Sequence, residues 1–154
     1  FAPTGPSRLA VFDPATWERV AVIALPGANA FGDASGIVRE PDTGRLLLST
    51  PGDIYAVGDG GIVAVDSETL TAAPGFLVSE DTLGGNVLDF VIASATQGFA
   101  IVQDARLGNH LVAFDPTGAT APRDLFSRDA FSRLSSISTA GCMSSQSALP
   151  TFGR

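Results

Sequence analysis

Leu9-Ala10-Val11-Phe12-Asp13-Pro14-Ala15-Thr16 returns as Ile62-Val63-Ala64-Val65-Asp66-Ser67-Glu68-Thr69, and again as Leu111-Val112-Ala113-Phe114-Asp115-Pro116-Thr117-Gly118. Each copy is an apolar run closed by an Asp and a small polar turn. The spacing is 53 residues from Asp13 to Asp66 and 49 from Asp66 to Asp115. A short run that is apolar at every position reads as a strand covered on both faces. The Asp at its end accepts hydrogen bonds from N–H groups of the following turn, and Pro14 and Pro116 preset φ at the corner. Self-similarity at a fixed period is the signature of a repeat architecture.

Working outward, a second apolar strand returns after the turn, at residues 20–25 in the first copy and Gly75-Phe76-Leu77-Val78 in the second. A further pair of matched features has nearly the same period. Gly27-Ala28-Asn29 precedes Ser35-Gly36-Ile37-Val38, and Gly84-Gly85-Asn86 precedes Leu88-Asp89-Phe90-Val91-Ile92. Each is followed by a turn, Pro41-Asp42-Thr43-Gly44 or Ala95-Thr96-Gln97-Gly98, and by another strand, at 45–49 or 99–102. One unit is therefore four strands joined by short turns. The predicted class is all-β, built from antiparallel four-stranded meanders.

The Asp-closed strands and the Gly-x-Asn motifs resemble the blades of bacterial β-propellers of the YVTN/lactonase-like and NHL-like group. The resemblance covers residues 8 to about 126, and it implies sheets stacked face to face. On this reading residues 8–25 supply half a blade, and 35–78 and 87–126 a blade each. That is about two and a half blades, fewer than the four or more that closure needs. A closed β-sandwich or small barrel is the alternative. Residues 127–154 break the pattern: Phe126, Ala130 and Leu134 are four apart, as in a short helix after a Ser127 cap. The rest reads as linker, with a strand at Ser136-Ile137-Ser138 as the competing reading. A partial propeller leaves two apolar faces to cover. Leu9, Val11, Phe12, Val22 and Ile23 are expected on one, and Val112, Phe114, Leu125 and Phe126 on the other. The expected partner is another protein or further copies of this chain.

Composition narrows the function classes. Hydrophobic residues at 45% against 16% charged give a chain of 154 residues enough apolar surface for a core. Its aliphatic runs are far shorter than the roughly 18 residues of a membrane-spanning helix, so no membrane span is expected. Twelve Asp and four Glu oppose nine Arg, for a net charge of −7. An acidic surface repels phosphate backbones, so nucleic acid is not an expected partner. Lys is absent, which removes Schiff-base and P-loop chemistry. The lone Cys142 has no partner for an internal disulfide, and the residues before it lack the apolar stretch of a lipidation box. The opening Phe1-Ala2-Pro3 reads either as a processed start or as a choice of numbering. The blade resemblance with the abundance of Ser, Thr, Gly and Pro leads to an expectation of an extracytoplasmic protein, periplasmic, cell-surface or secreted.

No residue set carries a catalytic signature. There is no Gly-x-Ser-x-Gly elbow and no phosphate-cradling glycine loop. His110 is the only histidine and reads as a structural residue at the start of a strand. Asp53 and Asp59 are the metal candidates, but two carboxylates fall short of the roughly six to eight oxygens that calcium takes. Asp59-Gly60-Gly61 also reads as a turn. Asn29 and Asn86 occupy matching positions and are the candidate ligand contacts, although Asn equally suits turns with unusual backbone angles. Trp17 is expected to cover a sheet edge, with sugar stacking as the functional alternative. The balance favours a non-enzymatic binding, scaffold or assembly module without a cofactor. The competing reading is a piece of a lactonase-like, metal-dependent propeller hydrolase.

Overall fold

The three Asp-closed runs all form strands that end where the Asp begins its turn. The computed structural model describes residues 4–30, 36–53, 55–56 and 58–128. In chain order the strands are β1 (Arg8–Phe12), β2 (Arg19–Ala24), β3 (Val38–Arg39), β4 (Leu46–Thr50), β5 (Gly61–Asp66), β6 (Thr71–Ala72) and β7 (Val78–Ser79). Helix α1 (Glu80–Leu83) follows, then β8 (Asn86–Ser94), β9 (Gln97–Gln103), β10 (Asn109–Phe114) and β11 (Arg123–Arg128). Among the described residues the chain is all-β apart from that single helical turn, and every strand pair is antiparallel.

The described residues form three sheets: β1-β2; β3-β4-β5-β6 with β7 also on β5; and β8-β9-β10-β11. Apart from β7, which pairs with β5 across the β6 segment, chain neighbours pair within each sheet, which is meander connectivity. Of the return strand expected at 75–78 only Val78 lies in a strand, and the edge beyond β5 is made of two short pieces, β6 ahead of the expected span and β7 at its end. Pro74 and Gly75, the latter at φ 80, interrupt it between β6 and β7. Ala73 N–H still donates to the Ala64 carbonyl, and Leu77 N–H to that of Ile62. The outer strand is thus bent without being lost. β11 carries the chain to Arg128, so Ser127 lies in a strand and not at a helix cap. Residues 129–154, with Cys142 and the remaining tail expectations, lie outside the described residues.

The middle sheet is covered on both faces. Ile62 and Ala64 of β5 and Leu47 of β4 pack with Val87, Phe90, Ala100, Val102, Val112 and Phe114 of the last sheet. Val63 and Val65, with Leu48, pack with Ile23 and Leu25 and against Leu9 and Val11 from the first. This is why the five residues from Gly61 to Val65 are all buried. Fully burying a Val, Leu or Ile side chain contributes roughly 1.5–3 kcal/mol, so the middle sheet anchors the fold. Gly98 is required where it stands: a Cβ there would run into the ring of Phe114, its cross-strand partner.

The end sheets differ from the expectation of strands apolar and covered alike on both sides. Leu9, Val11 and Ile23 turn inward against the middle sheet. Val112 and Phe114 are core residues, 3% and 4% exposed. None of these five lines an outward face. Phe12, Val22, Leu125 and Phe126 are exposed. The cause is the two-residue alternation of a strand: where only one face is covered, consecutive side chains part company.

Candidate functional site

The three Asp-closed strands share one device, the Asp at the end of each. Asp13 Oδ1 accepts from Ala15 N–H at 2.7 Å. Asp66 Oδ1 accepts from Glu68 and Thr69 N–H, both at 2.8 Å. Asp115 Oδ1 accepts from the N–H and the hydroxyl of Thr117, and its Oδ2 from the Thr120 hydroxyl at 2.9 Å. Donation to the ionised form holds the carboxyls of Asp66, through Thr69, and Asp115, through Thr117, below the ordinary value. The turns then close through a left-handed residue, Trp17 at φ 60, Leu70 at φ 54 and Gly118 at φ 74. Trp17 is 79% exposed at its hairpin tip, so it does not cover a sheet edge among the described residues.

The loop between β4 and β5 holds the metal candidates. Asp59 Oδ2 accepts from Asp53 N–H, and Asp53 Oδ1 from Tyr55 N–H, each at 3.0 Å. The two residues do meet, but through turn-forming bonds to the loop backbone. No group of three or more His, Cys, Asp or Glu able to hold a metal ion occurs among the described residues. Behind this loop lies Glu80, which the sequence reading passed over. Its carboxyl is fully buried and accepts from Gly60 N–H at 3.1 Å, Val87 N–H at 3.0 Å and Gly58 N–H. Burial, reinforced by the nearby charge of Asp59 and opposed by these donors, pushes its pKa up to about 7. The signal was present in Ser79-Glu80-Asp81-Thr82-Leu83-Gly84. Ser79 caps the turn through Thr82 N–H, and Gly84 ends it at φ 85.

His110 gains partners that its sequence neighbours do not reveal. Its Nδ1 lies 2.8 Å from Asp124 Oδ2 on β11, and its Nε2 lies 3.2 Å from Asp104 Oδ2 in the β9–β10 turn. Asp124 first and Asp104 second raise the imidazole pKa above its ordinary value. The cluster borders an open groove of about 410 Å³ that Leu83, Val112 and Pro122 also line. With both ring nitrogens engaged, the imidazole cross-links turn and strand and is not a free base. The folding back of β9 on β10 makes this cluster, which residue spacing could not announce.

Asn29 and Asn86 are not equivalent in their settings. Asn29 stands at φ 55 in the loop leaving β2, a left-handed conformation that Asn tolerates. Asn86 is buried at the start of β8, opposite Gln103.

The remaining surface of note is apolar. On the first sheet Phe12, Val20 and Val22 are 52%, 57% and 48% exposed, and Ala10 and Ala24 beside them are exposed as well. On the last sheet Leu125 and Phe126 are exposed, with Leu111 and Ala113 half-buried next to them. Among the described residues no helix is long and apolar enough to cross a membrane. The chain matches no protein-family model, no curated protein and no solved structure.

Proposed function

We propose that this chain is a non-enzymatic binding and assembly module. In this reading its sheets are consecutive blades of a propeller-type repeat series in an extracytoplasmic protein, completed by polypeptide that covers the outer faces. The observation that carries the reading is the phase of the three Asp-closed strands. Counted back from the Asp, the second and fourth residues face the next sheet: Val11 and Leu9, then Ala64 and Ile62. The first and third face the preceding sheet: Val65 and Val63, then Phe114 and Val112. Phe12 and Ala10, the same two positions in the first copy, are exposed with no preceding sheet among the described residues. With the phase kept, the first and the last described sheets each present an apolar face with no matching sheet among the described residues, and contiguous exposed apolar patches mark contact sites.

Sedimentation velocity of the 154-residue chain at micromolar concentration, run alongside binding of the dye ANS, tests this. The expected result is self-association, or a monomer that binds ANS at its open faces. A monodisperse 15.7 kDa species that binds no ANS and unfolds in one cooperative step would overturn the reading in favour of a closed fold.

A further inference from the structure

We infer that the outer face of the first sheet docks on the outer face of the last sheet of a second copy of this chain, head to tail. This rests on the module reading above and names the occupant that reading leaves open. The argument is continuity with an interface the chain already builds twice. In the first joint Leu9 and Val11 meet Val63 and Val65; in the second Ile62 and Ala64 meet Val112 and Phe114. A third joint of the same kind would set Leu111 and Ala113 against Ala10 and Phe12, which the last and the first described sheets turn away from the middle one.

Size agrees with phase. The second joint opposes a large aliphatic residue and an Ala to a smaller residue and a Phe. Leu111 with Ala113 against Ala10 with Phe12 repeats that combination. Around these pairs Val22 on one face and Phe126 on the other are each 48% exposed. Because the two faces differ, the contact is heterologous. It adds copies in one direction and gives open chains or, if the rotation closes, a ring.

The test uses the full chain and two single variants. Phe12→Asp spoils the first face and leaves the last intact; Phe126→Asp does the reverse. Each variant alone is expected to associate at least tenfold more weakly than the unmodified chain. Their equimolar mixture is expected to form a one-to-one dimer and nothing larger, since each contributes its surviving face. Both positions are exposed, and circular dichroism checks that folding is intact. Val22→Asp with Leu125→Asp repeats the experiment should either variant fail that check. If Phe126→Asp alone still dimerises as the unmodified chain does, or if the mixture stays monomeric while the unmodified chain associates, the head-to-tail contact is overturned and the module reading survives. An unmodified chain that is monomeric at every concentration also overturns it. The module reading then falls too only if that monomer binds no ANS.

Discussion

Asp13, Asp66 and Asp115 each turn the chain by accepting hydrogen bonds from groups two or more residues downstream, so a single side chain fixes where a strand stops. Their loads differ. Asp115 is buried and holds an N–H and two hydroxyls, whereas Asp66 is exposed and holds two N–H groups. Asp115→Ala should therefore lower the thermal midpoint by several degrees, and Asp66→Ala by less. An Asp66→Ala effect equal to or larger than that of Asp115→Ala would refute the ranking. Both carboxyls have lowered pKa values in the fold. Their stabilisation is therefore present above the unfolded value near 3.8 and lost as pH falls through the lower folded value. Glu80 works in the opposite sense. Its pKa rises from 4.5 to about 7 in the fold, so the native state holds a proton that the unfolded chain has released. Stability should decline by roughly 3 kcal/mol as pH rises from about 4.5 to 7, at ~1.4 kcal/mol per unit. Chemical denaturation across that range measures the slope, and Glu80→Gln should flatten it. An unchanged slope in the variant would assign it to other groups.

At the scale of elements, the hairpins were legible because turn chemistry is local. Pro41-Asp42-Thr43-Gly44 is a turn with Gly44 at φ 72, and β4, β8 and β9 fall within a few residues of their expected positions. What local chemistry could not convey was the covering of each face. Phe12 and Phe114 look alike as sequence, since each follows a small apolar residue and precedes an Asp. Yet Phe114 is core and Phe12 is half exposed, because among the described residues only Phe114 has a preceding sheet to pack on. The polar cross-links escaped for the same reason. His110 meets Asp104 across the β9–β10 turn and Asp124 across a strand pair that contains a bulge. This cross-link ties an edge strand to its sheet, and its imidazole pKa is raised. Its contribution is full below the ordinary value of 6.5 and is lost as pH rises through the higher folded value. NMR titration of the imidazole Cε1–H should give an apparent pKa above 6.5, and Asp124→Asn should bring it down. A wild-type value at or below 6.5 would rule out a charged cross-link at neutral pH.

At the scale of the whole molecule, the three described sheets pack in chain order, the first and the last each against the middle one. Stability in such a series is close to a sum of unit and interface contributions, so it is not shared evenly. The middle sheet has an interface on each face and supplies fully buried residues to both cores, including Leu47, Ile62, Leu48 and Val63. Among the described residues the first sheet has two strands and one interface, and its outer face exposes Phe12, Val20 and Val22. Local opening free energies follow buried apolar contact. Native-state hydrogen exchange should therefore show β4 and β5 amides exchanging slowest, close to the rate set by global unfolding. The β1–β2 amides should exchange first, through an opening that leaves the other two sheets intact. If the proposed head-to-tail contact forms, raising the chain concentration should slow exchange in β1–β2 and in β10–β11, since docking would give each of those sheets a further neighbour. Equal protection across all three sheets at low concentration would mean that they unfold as one unit, and a closed, fully cooperative architecture would then describe the molecule better than a series.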